Sequence, residues 1–87
     1  MNRIELLEAL KDIVTPYAED KAAVQKIDEN TDFLTDLKIN SANLVDVILD
    51  IEEKFGIEID NDSMSKMLNV KATEEIIEKK LAEKDAG

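Results

Sequence analysis

The sequence predicts an all-α fold: a small four-helix bundle of three main helices and one short helix, with a long loop after the first. Three observations carry that expectation. Apolar residues recur at helix-face spacing in several segments, and no stretch alternates apolar with polar residues as a half-buried strand does. Glycine and proline, which punctuate turns, number only two and one in 87 residues. At this length one domain over residues 1–87 is expected, burying only about 60% of the surface of its unfolded chain. Hydrophobic residues make up 44% of the chain, enough for a packed core. The aromatic residues are Tyr17, Phe33 and Phe55, so that core has to be aliphatic.

The first helix is read from NRIELLEALKDIV, where Ile4, Leu7, Leu10, Ile13 and Val14 share a face with Leu6 alongside. Thr15-Pro16 should end or kink it, because proline disfavours a helical conformation in the residue before it. AEDKAAVQKI can form a short extra helical piece. DENTDFLTDLKIN reads as a loop, since its Asp, Asn and Thr side chains favour local bonds to the backbone. Phe33, Leu34, Leu37 and Ile39 are expected to anchor that loop on the core. The most regular segment runs from Ser41 to Phe55 and meets a stop at Gly56. GIEID follows as a connector with Ile57 and Ile59 to bury. NDSMSKMLN offers a turn or two capped by Asn61 or Asp62, and Asn69 caps a last helix that buries Val70, Ile76, Ile77 and Leu81. The tail AEKDAG is expected to fray.

The Ser41–Phe55 helix carries more apolar residues than a single face requires. Leu44, Val47, Ile48, Ile51 and Phe55 form a core stripe. Ala42, Val45 and Leu49 lie about 130° away from it, at the 100° turn per residue of an α-helix. Glu52 borders this second stripe on one side, with Asp46 and Glu53 on the other. Such a stripe can be a set of isolated exposed aliphatics, or a surface covered by the long first loop. It can also be a docking patch whose carboxylates steer basic partners.

Charge and composition exclude several functions. With 21 acidic and 11 basic residues the net charge is −10, a balance that repels nucleic acid and anionic membranes and suits basic protein surfaces. The cations are scattered, leaving no stripe to follow a phosphate backbone. There is no cysteine and no histidine, which removes disulfides, thiol nucleophiles, imidazole bases and Cys/His zinc sites. Glu5 and Glu8 interrupt what a signal peptide would keep apolar, and no apolar run approaches the ~20 residues needed to span a bilayer. A cytoplasmic monomer is expected. Asp28, Asn30 and Asp32 open with the spacing of a calcium loop, but its glycine and final glutamate positions hold Phe33 and Ile39.

Ser41 is left as the candidate site. A serine at a helix start is well placed to cap it, and Asn40 can do the same. The position also suits a phosphate ester, because unpaired N–H groups and the positive end of the helix dipole favour an anion there.

The stretch DFLTDLKINSANLVDVILDIEEKFGIEID resembles the central segment of acyl carrier proteins. Phe33, Asp36 and Leu37 match the family's Phe-x-x-Asp-Leu ahead of the modified serine. Ser41 falls where the family has Asp-Ser-Leu. Glu52-Glu53-x-Phe55 matches the end of its second helix, and GIEID its Glu-Ile-Pro-like connector. The resemblance is close over residues 31–60 and looser over the outer helices. It implies a four-helix bundle with a long first loop, and a chain that tethers substrates for enzymes without being one. Ser41 would bear 4′-phosphopantetheine, donated by coenzyme A through a phosphopantetheinyl transferase, and the arm's thiol would hold acyl groups as thioesters. Asn40, Ala42, Val45, Asp46, Leu49, Glu52 and Glu53 would meet the transferase and the enzymes of fatty-acid, polyketide or related lipid synthesis. Asn40 stands in place of the family's usual Asp, Ala42 in place of a larger apolar residue, and PYAEDKAAVQ lengthens the region before the loop. These departures point to a specialised carrier. An aminoacyl or peptidyl carrier and an unmodified acidic binding module are the rival expectations.

Overall fold

A computed structural model describes residues 2–86. Its helices are α1 (Arg3–Val14), α2 (Lys21–Gln25), α3 (Ser41–Phe55), α4 (Asn61–Met64) and α5 (Val70–Ala86). Three long helices form the frame, and α1 packs against both α3 and α5. The two short helices lie in the connections. The segment AEDKAAVQKI does form a helix, α2, capped by the Asp20 carboxylate on the Ala23 N–H. Among the described residues there is no strand; a single antiparallel pairing joins Asp32 to Asn69.

Each long helix starts at a polar side chain that takes up an otherwise unpaired N–H. Asn2 accepts from Glu5 for α1, Asn40 from Ala42 for α3, and Asn69 from Ala72 for α5. The short α4 is capped by Asp60, which accepts from Ser63; the expected caps Asn61 and Asp62 are its first helical residues. At the end of α5 the expected fraying gives way to helix through Ala86, and Gly87 lies outside the described residues.

The core is aliphatic, with Phe33 and Phe55 its buried aromatic members. From α3 come Leu44, Val47, Ile48, Ile51 and Phe55, the stripe read from periodicity. Burial of each such side chain contributes about 1.5–3 kcal/mol. On α1 the buried face is Leu6, Ala9, Leu10 and Val14. Ile4 is 76% exposed, so the expected face is rotated. The cause is Arg3. Its guanidinium reaches Glu78 of α5 at 2.8 and 2.9 Å and Glu29 of the loop at 3.0 Å, fixing the first turn so that Ile4 points outward.

Two backbone systems decide where α3 begins and ends. Ahead of it, the loop is stitched to the start of α5: Val70 N–H donates to Thr31 C=O, Lys71 to Glu29, and Phe33 to Leu68. Phe33 C=O in turn accepts from Ile39, two residues before Ser41. Phe33, Leu37 and Ile39 are buried and Leu34 is half-buried, as expected of anchors. Beyond α3, the connector buries Ile57 and Ile59, and Asp60 meets Lys80 of α5 at 3.3 Å. The first turn of α5 therefore holds the entry to α3, and its later turns hold the exit.

Candidate functional site

The start of α3 is arranged differently from a simple serine cap. Asn40 is extended, and its Oδ1 accepts the Ala42 N–H at 2.8 Å. Ser41 is the first helical residue and is exposed. The cap belongs to Asn40, which leaves the Ser41 hydroxyl outside the capping bond and open to solvent. Three residues earlier, Lys38 takes φ +56°, the left-handed region that L side chains avoid. That turn buries Ile39 while delivering Asn40 and Ser41 to the surface.

The local charge departs from that of the whole chain. The first turn of α3 has no acidic residue, although the net charge is −10. Lys38 is exposed close by in sequence. An anion esterified to Ser41 would meet the positive end of a 15-residue helix and no carboxylate in its first turn. The residues present therefore fit a phosphodiester at this serine.

The second apolar stripe is exposed: Val45 is 45% and Leu49 53% accessible, and Ala42 is exposed as well. The long loop does not cover it. Asp46 and Glu53 are exposed beside it. Glu52 is half-buried, and its Oε2 accepts the Ile59 N–H at 2.7 Å. Asp50, one turn from Asp46, accepts the Tyr17 hydroxyl at 2.7 Å, a bond that pushes the phenol's pKa above its ordinary value. This bond fastens the turn after α1 to α3, while α2, further along the PYAEDKAAVQ segment, packs against α1.

The carboxylates of the calcium-like segment serve the chain itself. Asp28 Oδ1 accepts from Asn30 N–H and Thr31 Oγ1, while Asp32 Oδ1 accepts from the Leu34 and Thr35 N–H groups. Among the described residues no cluster of three acidic side chains is spaced to hold a metal ion.

Sequence reasoning missed the structural roles of three residues. Glu74, an acid in a helix segment rich in charge, is 1% exposed, facing Arg3 at 3.4 Å. Burial pushes its carboxyl above the usual range, and Arg3 opposes that shift. Periodicity holds the signal, for Glu74 stands four residues after Val70 and three before Ile77, both fully buried. The left-handed Lys38 carries no sequence signal, since glycine and asparagine are the residues expected there. Glu52 is expected from the sequence at the edge of the docking stripe; that its carboxylate also accepts the Ile59 N–H is visible only once the connector is seen to fold back onto it.

A bundle whose regular helix presents an exposed serine at its start and an apolar, acid-edged stripe beyond it defines a carrier-type domain. Residues 5–77 match the family model described as a phosphopantetheine attachment site. An acyl carrier protein of Lactobacillus acidophilus is 38% identical over 71 residues, covering 80% of this chain and 85% of that protein. One of Coprothermobacter proteolyticus is 35% identical over 77 residues, covering 88% and 87%. One of Thermosynechococcus vestitus is 33% identical over 84 residues, covering 94% and 99%. The chain belongs to the acyl carrier protein family, whose prosthetic group is covalently attached 4′-phosphopantetheine. Among the described residues no helix is long and apolar enough to cross a membrane.

Proposed function

We propose that Ser41 is the attachment residue, and that residues 1–87 work as one cytoplasmic, monomeric acyl carrier domain. The observation that carries this reading is the exposed serine at the first position of α3, relieved of capping by Asn40. The prosthetic group supplies the thiol that a chain without cysteine lacks. The chain's own residues do the rest. The α3 N-terminus stabilises the phosphodiester charge, while Ala42, Val45 and Leu49 offer an apolar contact. Asp46 and Glu53 steer basic partner surfaces, first the transferase and then the enzymes of fatty-acid, polyketide or related lipid synthesis. Glu52 sits at the edge of that surface, and Asn40 and Ala42 adjust which partners read the serine. The chain itself is not a catalyst, having neither imidazole nor thiol to activate a nucleophile.

Intact mass tests this. Coexpression with a broad-specificity phosphopantetheinyl transferase should add the mass of one arm, and Ser41→Ala should abolish the gain. A gain that survives Ser41→Ala moves the site elsewhere. No gain at all favours an unmodified binding module. Mass analysis of the loaded group separates an acyl from an aminoacyl carrier.

A further inference from the structure

Lys38 stands apart from its surroundings in both conformation and charge. Of the residues from Leu37 to Val45 it alone is charged, and it is a cation in a chain whose net charge is −10. Its backbone is left-handed at φ +56°, close to the +64° of Gly56 beyond the other end of α3. At that end the chain uses glycine, the residue for which such a turn costs least. At the entry it holds a lysine in a similar turn, exposed between the buried Leu37 and Ile39. No pairing within the fold accounts for the lysine, since it makes no ion pair among the described residues. The carboxylates that adjoin the turn are taken up by amides. Asp36 accepts the Asp32 N–H at 2.8 Å, and Asp20, whose own N–H meets the Leu37 C=O, caps α2. The next acid along α3, Asp46, lies about 140° round the helix from Ser41.

We propose that Lys38 is a positioning residue for the prosthetic group: its ammonium pairs with the phosphodiester on Ser41 and holds the root of the arm at the α3 N-terminus. The pairing rests on Ser41 being the attachment residue. Lys38 and Ser41 are both exposed, and three residues of chain separate them by at most about 10 Å. The flexible lysine stem and the ester on Ser41 extend into that gap from its two ends. An ammonium on a phosphate oxygen makes a charge-assisted hydrogen bond, and the helix dipole acts in the same sense. Glycine at this position would ease the turn and leave the phosphodiester to the helix end alone. The surface of the carrier then has two signs with two tasks: a cation at the entry to α3 that holds the arm, and Asp46 and Glu53 beyond it that meet basic partners.

The test compares the protein before and after loading from coenzyme A by a broad-specificity transferase, with intact mass confirming the gain of one arm. Nitrogen-15 NMR of the lysine ammonium groups reads the pair directly. On loading, the Lys38 ammonium protons should exchange with water about two- to fivefold more slowly, as a surface ion pair allows, while those of Lys54 at the far end of α3 keep their rate. Urea unfolding gives a second readout that needs no ammonium signal. Loading should lower the unfolding equilibrium constant by a factor about two- to fivefold larger in the parent than in Lys38→Gln. Lys38→Arg should restore the parent's response, and Lys54→Gln, which removes the same charge elsewhere on α3, should leave it intact. Loaded protein with an unchanged Lys38 ammonium, or an equal loss of response in Lys54→Gln, overturns the proposal and leaves the carrier reading standing. A parent that gains no mass under these conditions overturns the carrier reading and the proposal with it.

Discussion

Both ends of α3 depend on a left-handed residue, and the two residues differ in kind. The exit uses Gly56 at φ +64°, where the missing side chain makes the turn easy. The entry uses Lys38 at φ +56°, where the same turn is strained. The exit is densely bonded, with three amides on Glu52 and Asp60 both capping α4 and meeting Lys80. The entry ends in one amide cap and an open serine. The difference teaches that α3 is fixed firmly at the end that shields the core and tolerates strain at the end that presents the candidate serine. Strained backbone persists only where surrounding structure enforces it. Here the stitching of residues 29–33 to α5 and the burial of Leu37 and Ile39 provide that enforcement.

The sharpest way to break the contrast is to give the exit a side chain. Gly56→Ala places a Cβ in the left-handed region, costing about 1–2 kcal/mol. That Cβ would also lie 2.8 Å from the Lys84 ammonium, the movable end of a flexible chain, so the backbone and not the contact sets the cost. A urea midpoint lowered at unchanged slope would confirm it. The converse substitution at the entry, Lys38→Gly, should act with the opposite sign. Relief of the left-handed penalty exceeds the extra entropy of an unfolded glycine, for a net gain of about 0.5–1 kcal/mol. A loss of stability in Lys38→Gly would show that the lysine side chain compensates for its own backbone.

Much of this architecture was legible in the sequence, and the illegible parts share a cause. The α3 core stripe, the loop anchors and the Gly56 stop follow from periodicity and local turn chemistry, both of which act over a few residues. The exposed second stripe was visible as surplus apolar surface, but only the structure shows the loop leaving it uncovered. The errors occur where a distant side chain overrides the local pattern. Ile4 turns outward because Arg3, the only arginine, is drawn to Glu29, Glu74 and Glu78. Glu74 turns inward for the same pairing. The choice between Ser41 and Asn40 as cap is a local matter that the sequence left open, and the chain entering α3 extended at Asn40 decides it. The candidate serine could be named from its register, whereas its release from capping, which is what makes it available, needed the fold.

The smallest expected effect concerns one carboxylate near each end. Asp60, at the exit, is held at about 2 by the Ser63 N–H and then by Lys80. Its folded value lies below the unfolded one of 3.8, so its contribution is present above pH 3.8 and is lost as pH falls through about 2. Glu74, behind the loop that feeds the entry, is shifted the other way, chiefly by burial. Its folded value lies above the unfolded one, so the native state takes up the proton first and gains stability as pH falls from neutrality through that raised value. The two carboxylates therefore act with opposite sign in successive windows. Thermal midpoints measured from pH 7 downward should rise slightly and then fall below about pH 4. Glu74→Gln should flatten the rise, because the amide keeps the shape without the buried charge. Asp60→Asn should weaken the fall, because asparagine still caps α4 but does not titrate. If Asp60→Asn leaves the acid limb unchanged, the exit of α3 is secured by the Glu52 bonds alone, and Asp60 contributes a cap whose charge is incidental.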